Sequence, residues 1–299
     1  MTDLAVLSFG AGQDSTALLH LYIRDPEFRA RYAPGDFVVV QSDPGNEHNE
    51  TYEHTRNMRA LCDRHGVEFW FLTRDLGFHS DKWPGLVEFY KRTNTCGSKA
   101  FRKVCTDKLK LSPIYKWLSQ WVAKGYGMPD YGHPYKGKTP LVEFAERYGK
   151  IQMLIGIGAD EGKRVGGNED KLPKWQRLSV KKVYPLIDMG MDRAKCQEYL
   201  RGIGEIIPLP SNCKICPFLS EQELLWLYRF CPDDYYEWVG IEAAKLKANE
   251  HMGNKNLTVW GKKTLPEVLV QAQEKYGHWS ESRLMEYKYS HGHCLMSKY

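Results

Sequence analysis

The sequence predicts an α/β fold built on a doubly wound, mainly parallel sheet, with a smaller helical region after it. Short apolar runs typical of buried strands alternate with segments of helical periodicity, and a glycine-rich turn joins the first run to the first helix. Connections of helix length imply right-handed crossovers between parallel strands. In such a sheet, ligands bind outside the carboxyl ends of the strands, where the strand order reverses.

The strands and helices follow one another in order over the first 190 residues. The predicted strands cover residues 4–7, 37–41, 67–72 and 151–157. The predicted helices begin near residue 14 and cover residues 51–65 and 110–121. Beyond residue 184 the sheet pattern stops, and helices are predicted over residues 191–200 and 221–230. We therefore expect an α/β domain over residues 1–190 and a helical, cysteine-bearing region over residues 191–299.

Size and composition are typical of a globular enzyme. The 299 residues are 42% hydrophobic, enough for one large α/β core, and carry a formal charge of +5. No segment approaches the roughly 18 apolar residues of a membrane span, and no basic stretch precedes an apolar run at the start. We expect a cytoplasmic protein with no membrane partner. Basic clusters at 102–110 and 171–182 permit a nucleic-acid partner, or are solvated surface.

The turn over residues 8–16, SFGAGQDST, is the most informative segment. A glycine-rich turn between a buried strand and a helix leaves several backbone N–H groups directed at one point, which favours an anion. The residues predicted to contact this ligand are Ser8, Gly10, Ala11, Gly12, Gln13, Asp14 and Ser15. The turn is not a Walker A motif, because Asp14 stands where that motif has lysine. Asp14 therefore suggests a helix N-cap, a Mg²⁺ ligand or both.

Two further loops place charged residues after predicted strands. In SDPGNEH, residues 42–48, Asp43 is a candidate nucleotide contact, while Glu47 is either a contact or a local structural residue. In GIGADEGKR, residues 156–164, Gly158 allows close approach of the backbone to a ligand. Asp160 and Arg164 suit a metal ion and a phosphate, respectively. A solvated charged turn is the alternative interpretation of this loop.

Eight cysteines in a chain expected to be cytosolic suggest metal or redox chemistry rather than disulfides. Cys213 and Cys216 form a CxxC pair, whose spacing places two thiolates on one side of a turn. There is no second CxxC, so further ligands must come from elsewhere in the fold. Zinc and iron–sulfur clusters both accept four thiolates, so the spacing leaves the choice open. Cys62 and Cys196 lie in predicted helical segments, and we expect them to be buried thiols.

Taken in order, these motifs resemble those of the PP-loop ATP pyrophosphatase superfamily, in its PAPS-reductase-like branch. Residues 8–15 are similar to the SFGxGxDS signature, and residues 43–51 resemble DTGxExxET with Pro44 in place of threonine. Residues 156–164 resemble GxRxDESxxR with Gly158 in place of arginine, and residues 105–114 resemble the CTxxxKxxP[IL] segment of the iron–sulfur branch. The resemblance spans residues 4–218 and implies the adenine nucleotide alpha hydrolase fold.

The resemblance implies a site for ATP and Mg²⁺, with catalytic roles for Asp14, Asp160 and Arg164. It also implies a [4Fe–4S] cluster held by Cys105, Cys213 and Cys216, with zinc as the alternative. The fourth ligand is predicted to be Cys96, with Cys294 or Cys231 as alternatives. Cys294 has a second candidate role, because in sulfonucleotide reductases a tail cysteine attacks the substrate sulfur.

The expected function is ATP-dependent adenylation of an acceptor with release of pyrophosphate. The similarity to DNA phosphorothioation ATPases and tRNA thiolation enzymes implies sulfur insertion into DNA or tRNA, with a cysteine desulfurase as a candidate sulfur donor. Two alternatives stay open. One is a reductase of PAPS or adenylyl sulfate, which cleaves no ATP; the other is a non-catalytic nucleotide-binding subunit with a zinc knuckle.

Overall fold

The computed structural model describes residues 3–101, 103–128, 138–165 and 172–291, and its strands form one parallel sheet. The strands are β1 (Leu4–Ser8), β2 (Asp36–Ser42), β3 (Glu68–Leu72), β4 (Ile151–Ile155) and β5 (Val180–Val183). Their order in the sheet is β3-β2-β1-β4-β5, and every neighbouring pair is parallel. The chain order reverses between β1 and β4, so the crevice expected to bind ligands lies where these two strands end.

Helices connect the strands and follow the sheet. Those before residue 190 are α1 (Gln13–Arg24), α2 (Pro26–Tyr32), α3 (Asn49–Arg64), α4 (Leu86–Thr93), α5 (Ser112–Gly125), α6 (Thr139–Tyr148), α7 (Lys174–Ser179) and α8 (Pro185–Asp188). Those after it are α9 (Arg193–Gly202), α10 (Glu221–Phe230), α11 (Pro232–Ala248), α12 (Leu265–Tyr276) and α13 (Glu281–His291). A π-helix, Thr106–Leu111, leads into α5. In the described ranges, no helix has the length and apolar content that a membrane crossing requires.

Apolar side chains cover both faces of the sheet. Along β1, Leu4 and Val6 join the cluster that includes α5 and α6, while Ala5 and Leu7 join the cluster that includes α1, α3 and α9. This alternation follows from the period of two in a strand, and burial on both faces explains the nearly continuous apolar runs. The predicted α/β class with a parallel sheet is confirmed.

The helices after residue 220 pack around a core of their own. Trp238 and Leu224 lie at its centre, together with Leu86 and Tyr90 of α4. This core therefore draws on residues far before position 190, and helix α9 contributes Cys196 to the sheet's cluster instead. The division at residue 190 stays a prediction.

Most predicted elements in the described ranges are present, with small shifts at their ends. The strands predicted at 37–41, 67–72 and 151–157 correspond to β2, β3 and β4, and the helix at 221–230 corresponds to α10. Strand β5 was not predicted, because its four residues include two lysines and form no apolar run. The expectation that Cys62 and Cys196 are buried thiols is confirmed.

Candidate functional site

The loop between β1 and α1 presents backbone amides at the carboxyl edge of the sheet. Gly12 is the N-cap of α1, and its carbonyl accepts hydrogen bonds from the Thr16 amide (3.0 Å) and the Thr16 hydroxyl (2.8 Å). Because Thr16 makes the first bond of the helix, the amides of the three preceding residues have no intrahelical acceptor. Together with the positive end of the helix dipole, they favour a bound anion.

The prediction that Asp14 caps α1 is wrong. Gly12 occupies the cap position, and Asp14 is the second residue of the helix, with no cap hydrogen bond from a side chain. The helix begins at Gln13, two residues earlier than capping by Asp14 would require, directly after a tight turn in which Ala11 has a φ of 56°. Capping therefore does not account for the carboxylate at position 14.

A pocket opens between this loop and the ends of β2 and β4. The predicted site residues that line it are Ser8, Gly10, Gly12, Gln13, Asp14, Ser15 and Arg164. Glu47, which the sequence left as either a contact or a structural residue, also lines the pocket. Further lining residues, absent from the predicted site, include Gln41, Ser42, Lys110, Arg193 and Ser211. The other predicted residues of the nucleotide site, Ala11, Asp43, Gly158 and Asp160, do not belong to the described residues that line the pocket.

Two carboxylates and two guanidinium groups form one charged cluster, of which Asp14, Arg164 and Arg193 line the pocket. Glu161 pairs with Arg164 (2.6 Å) and with Arg193 (3.7 Å), and an Arg193 nitrogen lies 4.0 Å from Asp14 Oδ2. Burial raises the pKa of Asp14 to about 6, against the opposing effect of Arg193. Asp14 Oδ1 is buried and has no hydrogen-bond partner in the described part of the chain. A buried, unsatisfied carboxylate oxygen fits a Mg²⁺ ligand.

Glu161, not Asp160, is the carboxylate that the loop after β4 places in this cluster. A 3₁₀ turn over Ala159–Arg164 turns Glu161 and Arg164 inward and leaves Asp160 exposed. The catalytic assignment of Asp160 stays a prediction. Arg193 was missed because it lies outside the matched motifs. The sequence did contain one signal. Arg193 directly follows the N-cap Asp192, and a cation in the first turn of a helix is destabilised by the positive end of the helix dipole, so its presence there indicates a role other than stabilising the helix.

The loop after β2 holds the CxxC segment. The carbonyl of Asn46 accepts the Lys214 amide (2.9 Å), and Asn46 Oδ1 accepts the Ile215 amide (3.1 Å). Asp43, predicted as a nucleotide contact, accepts the Gly45 amide and the Tyr52 hydroxyl, both at 2.8 Å. Asp43 therefore stabilises the turn that positions Asn46, and its contact with a nucleotide stays a prediction.

Three of the predicted metal ligands line a second cavity beside the pocket. Cys105, Cys213 and Cys216 share it with Lys110, which lines the first pocket as well. Lys110 Nζ lies 2.8 Å from Glu47 Oε1, and Glu47 is buried. This ion pair therefore stands where the two cavities approach each other.

Cys96 is connected to the second cavity by Gly97, the next residue in sequence, which packs against the cavity residue Pro217. Gly97 has a φ of +66°, and a Cβ there would lie 2.5 Å from both the Tyr90 hydroxyl and Pro217 Cγ, so glycine is required. Burial, and then the charges of all four predicted cysteines, raise the pKa of Tyr90. Cys96 is itself buried, its Sγ donates to the Gly97 carbonyl (3.2 Å), and burial raises its pKa to about 12.

The donor set around Tyr90 suits a thiophilic metal or an iron–sulfur cluster. Across residues 3–101, 103–128, 138–165 and 172–291, no three His, Cys, Asp or Glu side chains stand in a ready-made metal-binding group. Cys231 is half-buried where α11 begins, and Cys294 lies outside the described residues.

Comparison of the sequence with models of known protein families finds no match, and comparison with curated proteins finds none either. The arguments for a function therefore come from the site itself and from the motifs in the sequence.

Gly156, directly after β4, packs tightly against the glycine-rich turn before α1. A Cβ on Gly156 would lie 2.8 Å from the Ser15 amide nitrogen, whereas a Cβ on Gly162 in the same loop meets nothing within 4 Å. We expect Gly156→Ala to lower the free energy of unfolding by about 1–3 kcal/mol and to weaken nucleotide binding. Gly162→Ala, the matched control, is expected to change it by less than about 0.5 kcal/mol. Urea titration measures the free energy of unfolding, and nucleotide titration measures binding. Equal effects of the two variants would contradict the packing argument.

Proposed function

We propose that the chain binds ATP and Mg²⁺ in the pocket between β1 and β4 and transfers the adenylyl group to an acceptor, releasing pyrophosphate. One observation carries the proposal: the amides of the α1 first turn, two arginines and a buried carboxylate with an unsatisfied oxygen converge on one pocket. The amides and arginines suit a polyphosphate, and the carboxylate suits its metal ion. The resemblance to the PP-loop signature supports adenosine as the nucleoside.

Each charged residue has a separate task in this reaction. Asp14 would hold Mg²⁺, and the ion would supply Lewis-acid neutralisation of charge on the departing pyrophosphate. The amides of Gln13 to Ser15, with Arg164 and Arg193, bind the phosphate oxygens and stabilise the negative charge that develops as an acceptor oxygen attacks the α-phosphate. Glu161 orients both arginines, because it pairs with each of them.

The second cavity gives the proposal its acceptor chemistry. Cys105, Cys213 and Cys216, with Cys96 as the fourth ligand, would hold a [4Fe–4S] cluster or zinc; a cluster supplies electron- or sulfur-transfer chemistry when bound. Lys110 lines both cavities, so an acceptor adenylated in the first can meet a sulfur nucleophile from the second. A thiol would first reduce the persulfide of the sulfur donor to sulfide and become a disulfide. Sulfide would then attack the activated carbon or phosphorus, so that a carbon–sulfur or phosphorus–sulfur bond forms while the bond to the adenylated oxygen breaks and that oxygen leaves with AMP. DNA or tRNA is the proposed acceptor, and a cysteine desulfurase the proposed donor of sulfur.

The test is anaerobic purification with an absorption spectrum and a metal count, followed by assays of pyrophosphate release from ATP with candidate nucleic acids. We expect iron with a thiolate-to-iron absorption band, and pyrophosphate release that requires Mg²⁺ and increases with the acceptor. Zinc in place of iron would remove the cluster. Release of sulfite from PAPS or adenylyl sulfate, without ATP cleavage, would identify a reductase instead. ATP binding with no turnover of any of these substrates would identify a non-catalytic subunit.

A further inference from the structure

A surface of partly exposed aromatic and basic side chains borders the cysteine cavity, and none of its residues lines the nucleotide pocket. Phe101 is 63% exposed and Val104 is 46% exposed, both in the segment that leads into Cys105. Lys103, between them, lines the cysteine cavity. We call this the aromatic–lysine surface, and it consists of Lys99, Phe101, Lys103, Val104, Phe218 and Trp260.

Three separate chain segments are joined to make this surface. Lys99 anchors it: its amide donates to the Val259 carbonyl (2.8 Å), and its Nζ donates to the Leu219 carbonyl (2.7 Å). The same Nζ lies 2.9 Å from the centre of the Trp260 ring, and Lys103 Nζ lies 5.5 Å from the centre of the Phe218 ring. Each of these two cation–π contacts pairs one lysine with one aromatic ring.

The charge of the surface and its rim is positive. Lys262 and Lys263 are exposed and follow Trp260 by two and three residues, and exposed Lys108 lies on the other side of Cys105. Carboxylates offset part of this charge: Asp107 pairs with Lys108 at 3.2 Å, and the charges of Glu223 and Glu221 act on Lys99. Lys103, Lys262 and Lys263 leave an excess of positive charge that suits an anionic occupant, and the exposed Phe101 ring suits a flat apolar group.

We propose that the aromatic–lysine surface binds single-stranded nucleic acid, with a base on Phe101 and phosphates against the lysines. A base suits the exposed Phe101 ring and phosphates suit the lysines beside it, and single strands expose the base faces that a duplex hides. An acidic protein segment would satisfy the lysines but would leave the exposed ring without a partner. The inference names the acceptor class of the proposed function, and rests on that function only for the chemistry that follows binding. Because Lys103 also lines the cysteine cavity, a strand bound on the aromatic–lysine surface would lie beside the thiols.

Fluorescence anisotropy with the full chain tests this surface, without ATP. The probes are labelled oligouridylate and oligothymidylate of about 12 nucleotides, within the site sizes of single-strand binders. We expect Phe101→Ala to weaken binding at least about fivefold, because it removes one stacked base. Lys103→Glu should weaken binding and lower the slope of log K against log salt by about 0.7 for each phosphate that the protein no longer neutralises. The matched controls are Tyr236→Ala on α11, whose side chain is also exposed, and Lys150→Glu, an exposed lysine directly before β4 and outside both basic clusters of the sequence.

The outcomes separate this surface from the proposed function. Two results overturn the proposal that this surface binds single strands. One is the absence of binding at about 100 μM protein, and the other is an equal loss of affinity in test and control variants whose melting temperatures are unchanged. Displacement of the probes by polyglutamate with no effect of Phe101→Ala also overturns it, in favour of an acidic protein partner. Binding that is sensitive to Phe101→Ala, with no pyrophosphate release from ATP, rejects the proposed function and supports the surface. Comparison of the two probes shows whether RNA or DNA is preferred.

Discussion

Asp14→Asn is expected to abolish pyrophosphate release and, at the same time, to stabilise the nucleotide-free fold. The loss of activity follows because the amide cannot replace a buried carboxylate as a Mg²⁺ ligand, and such a loss of charge stabilisation costs about 10²–10³-fold in rate. The gain in stability follows from the cost of burying a charge at position 14. Burial raises the pKa of Asp14 from 3.8 to about 6, so the folded state disfavours the ionised form.

The sign of the stability effect depends on pH. Because the folded pKa of Asp14 lies above 3.8, the wild-type fold carries no penalty when the group is protonated, and the penalty grows as pH rises toward about 6. Above that pH the penalty for the buried charge is about 1–3 kcal/mol, since each unit of pKa shift corresponds to about 1.4 kcal/mol. The variant also loses a favourable contact between the carboxylate and the helix dipole, which reduces its gain in stability by up to about 1 kcal/mol. Asp14→Asn should therefore raise stability most above pH 6 and have little effect below pH 4.

Urea titrations in EDTA at about pH 4 and pH 7.5 measure the stability effect, and pyrophosphate release measures the activity. Asp63→Asn, an exposed carboxylate near the end of α3, is the control and should alter neither. If Asp14→Asn destabilised the protein at neutral pH, Asp14 would be a structural residue rather than a group held in a strained state for its ligand.

The parts of the site that sequence could predict are those that local chain geometry determines. The turn at residues 8–16 presents its amides wherever a strand ends and a helix begins, so Gly10, Gly12 and Ser15 followed from the motif alone. Arg193 comes from a helix 180 residues later, and nothing in its neighbourhood in sequence specifies that it meets Asp14. Glu161 and Asp160 are adjacent, and only the 3₁₀ turn determines which of them meets Arg164 and Arg193.

The same distinction holds for the fold. Apolar runs predicted β1 to β4, because burial on both faces of a parallel sheet requires them. The shared core of α4 with α10–α13 could not be predicted, because helical periodicity shows which face is buried but not against which partner. For the thiols, spacing paired Cys213 with Cys216, whereas the approach of Cys105 to them depends on Asn46 holding the CxxC segment.

Lys288→Met is expected to destabilise the protein strongly, although the residue lies in the last described helix and touches no ligand. Lys288 is 1% exposed, its Nζ donates to Asn212 Oδ1 (2.9 Å), and it lies 3.5 Å from a carboxylate oxygen of Glu223. Its removal leaves the buried Glu223 charge without its cation, which costs about 3–5 kcal/mol for a buried pair. Because Asn212 precedes Cys213, the CxxC segment should loosen as well.

Replacement of both partners should recover part of the loss. Lys288→Met combined with Glu223→Gln removes the isolated charge, so the double variant is expected to be more stable than the sum of the single variants by about 1–3 kcal/mol. Recovery should be only partial, because the second carboxylate oxygen of Glu223 also accepts the Ser220 amide (2.9 Å) at the N-cap of α10. Urea titration of the four proteins gives the coupling energy, and the rate of thiol modification reports on the CxxC segment.

The matched control is Lys275→Met, which removes the exposed ion pair between α12 and α10. Lys275 Nζ lies 2.8 Å from Glu221, closer than Lys288 lies to Glu223, but the lysine side chain is 54% exposed. Solvent screening should limit its cost to less than about 1 kcal/mol, so burial rather than distance decides which pair matters. Equal costs of the two lysine variants, with unchanged thiol reactivity, would show that Lys288 is solvated in solution and does not hold the cysteine segment in place.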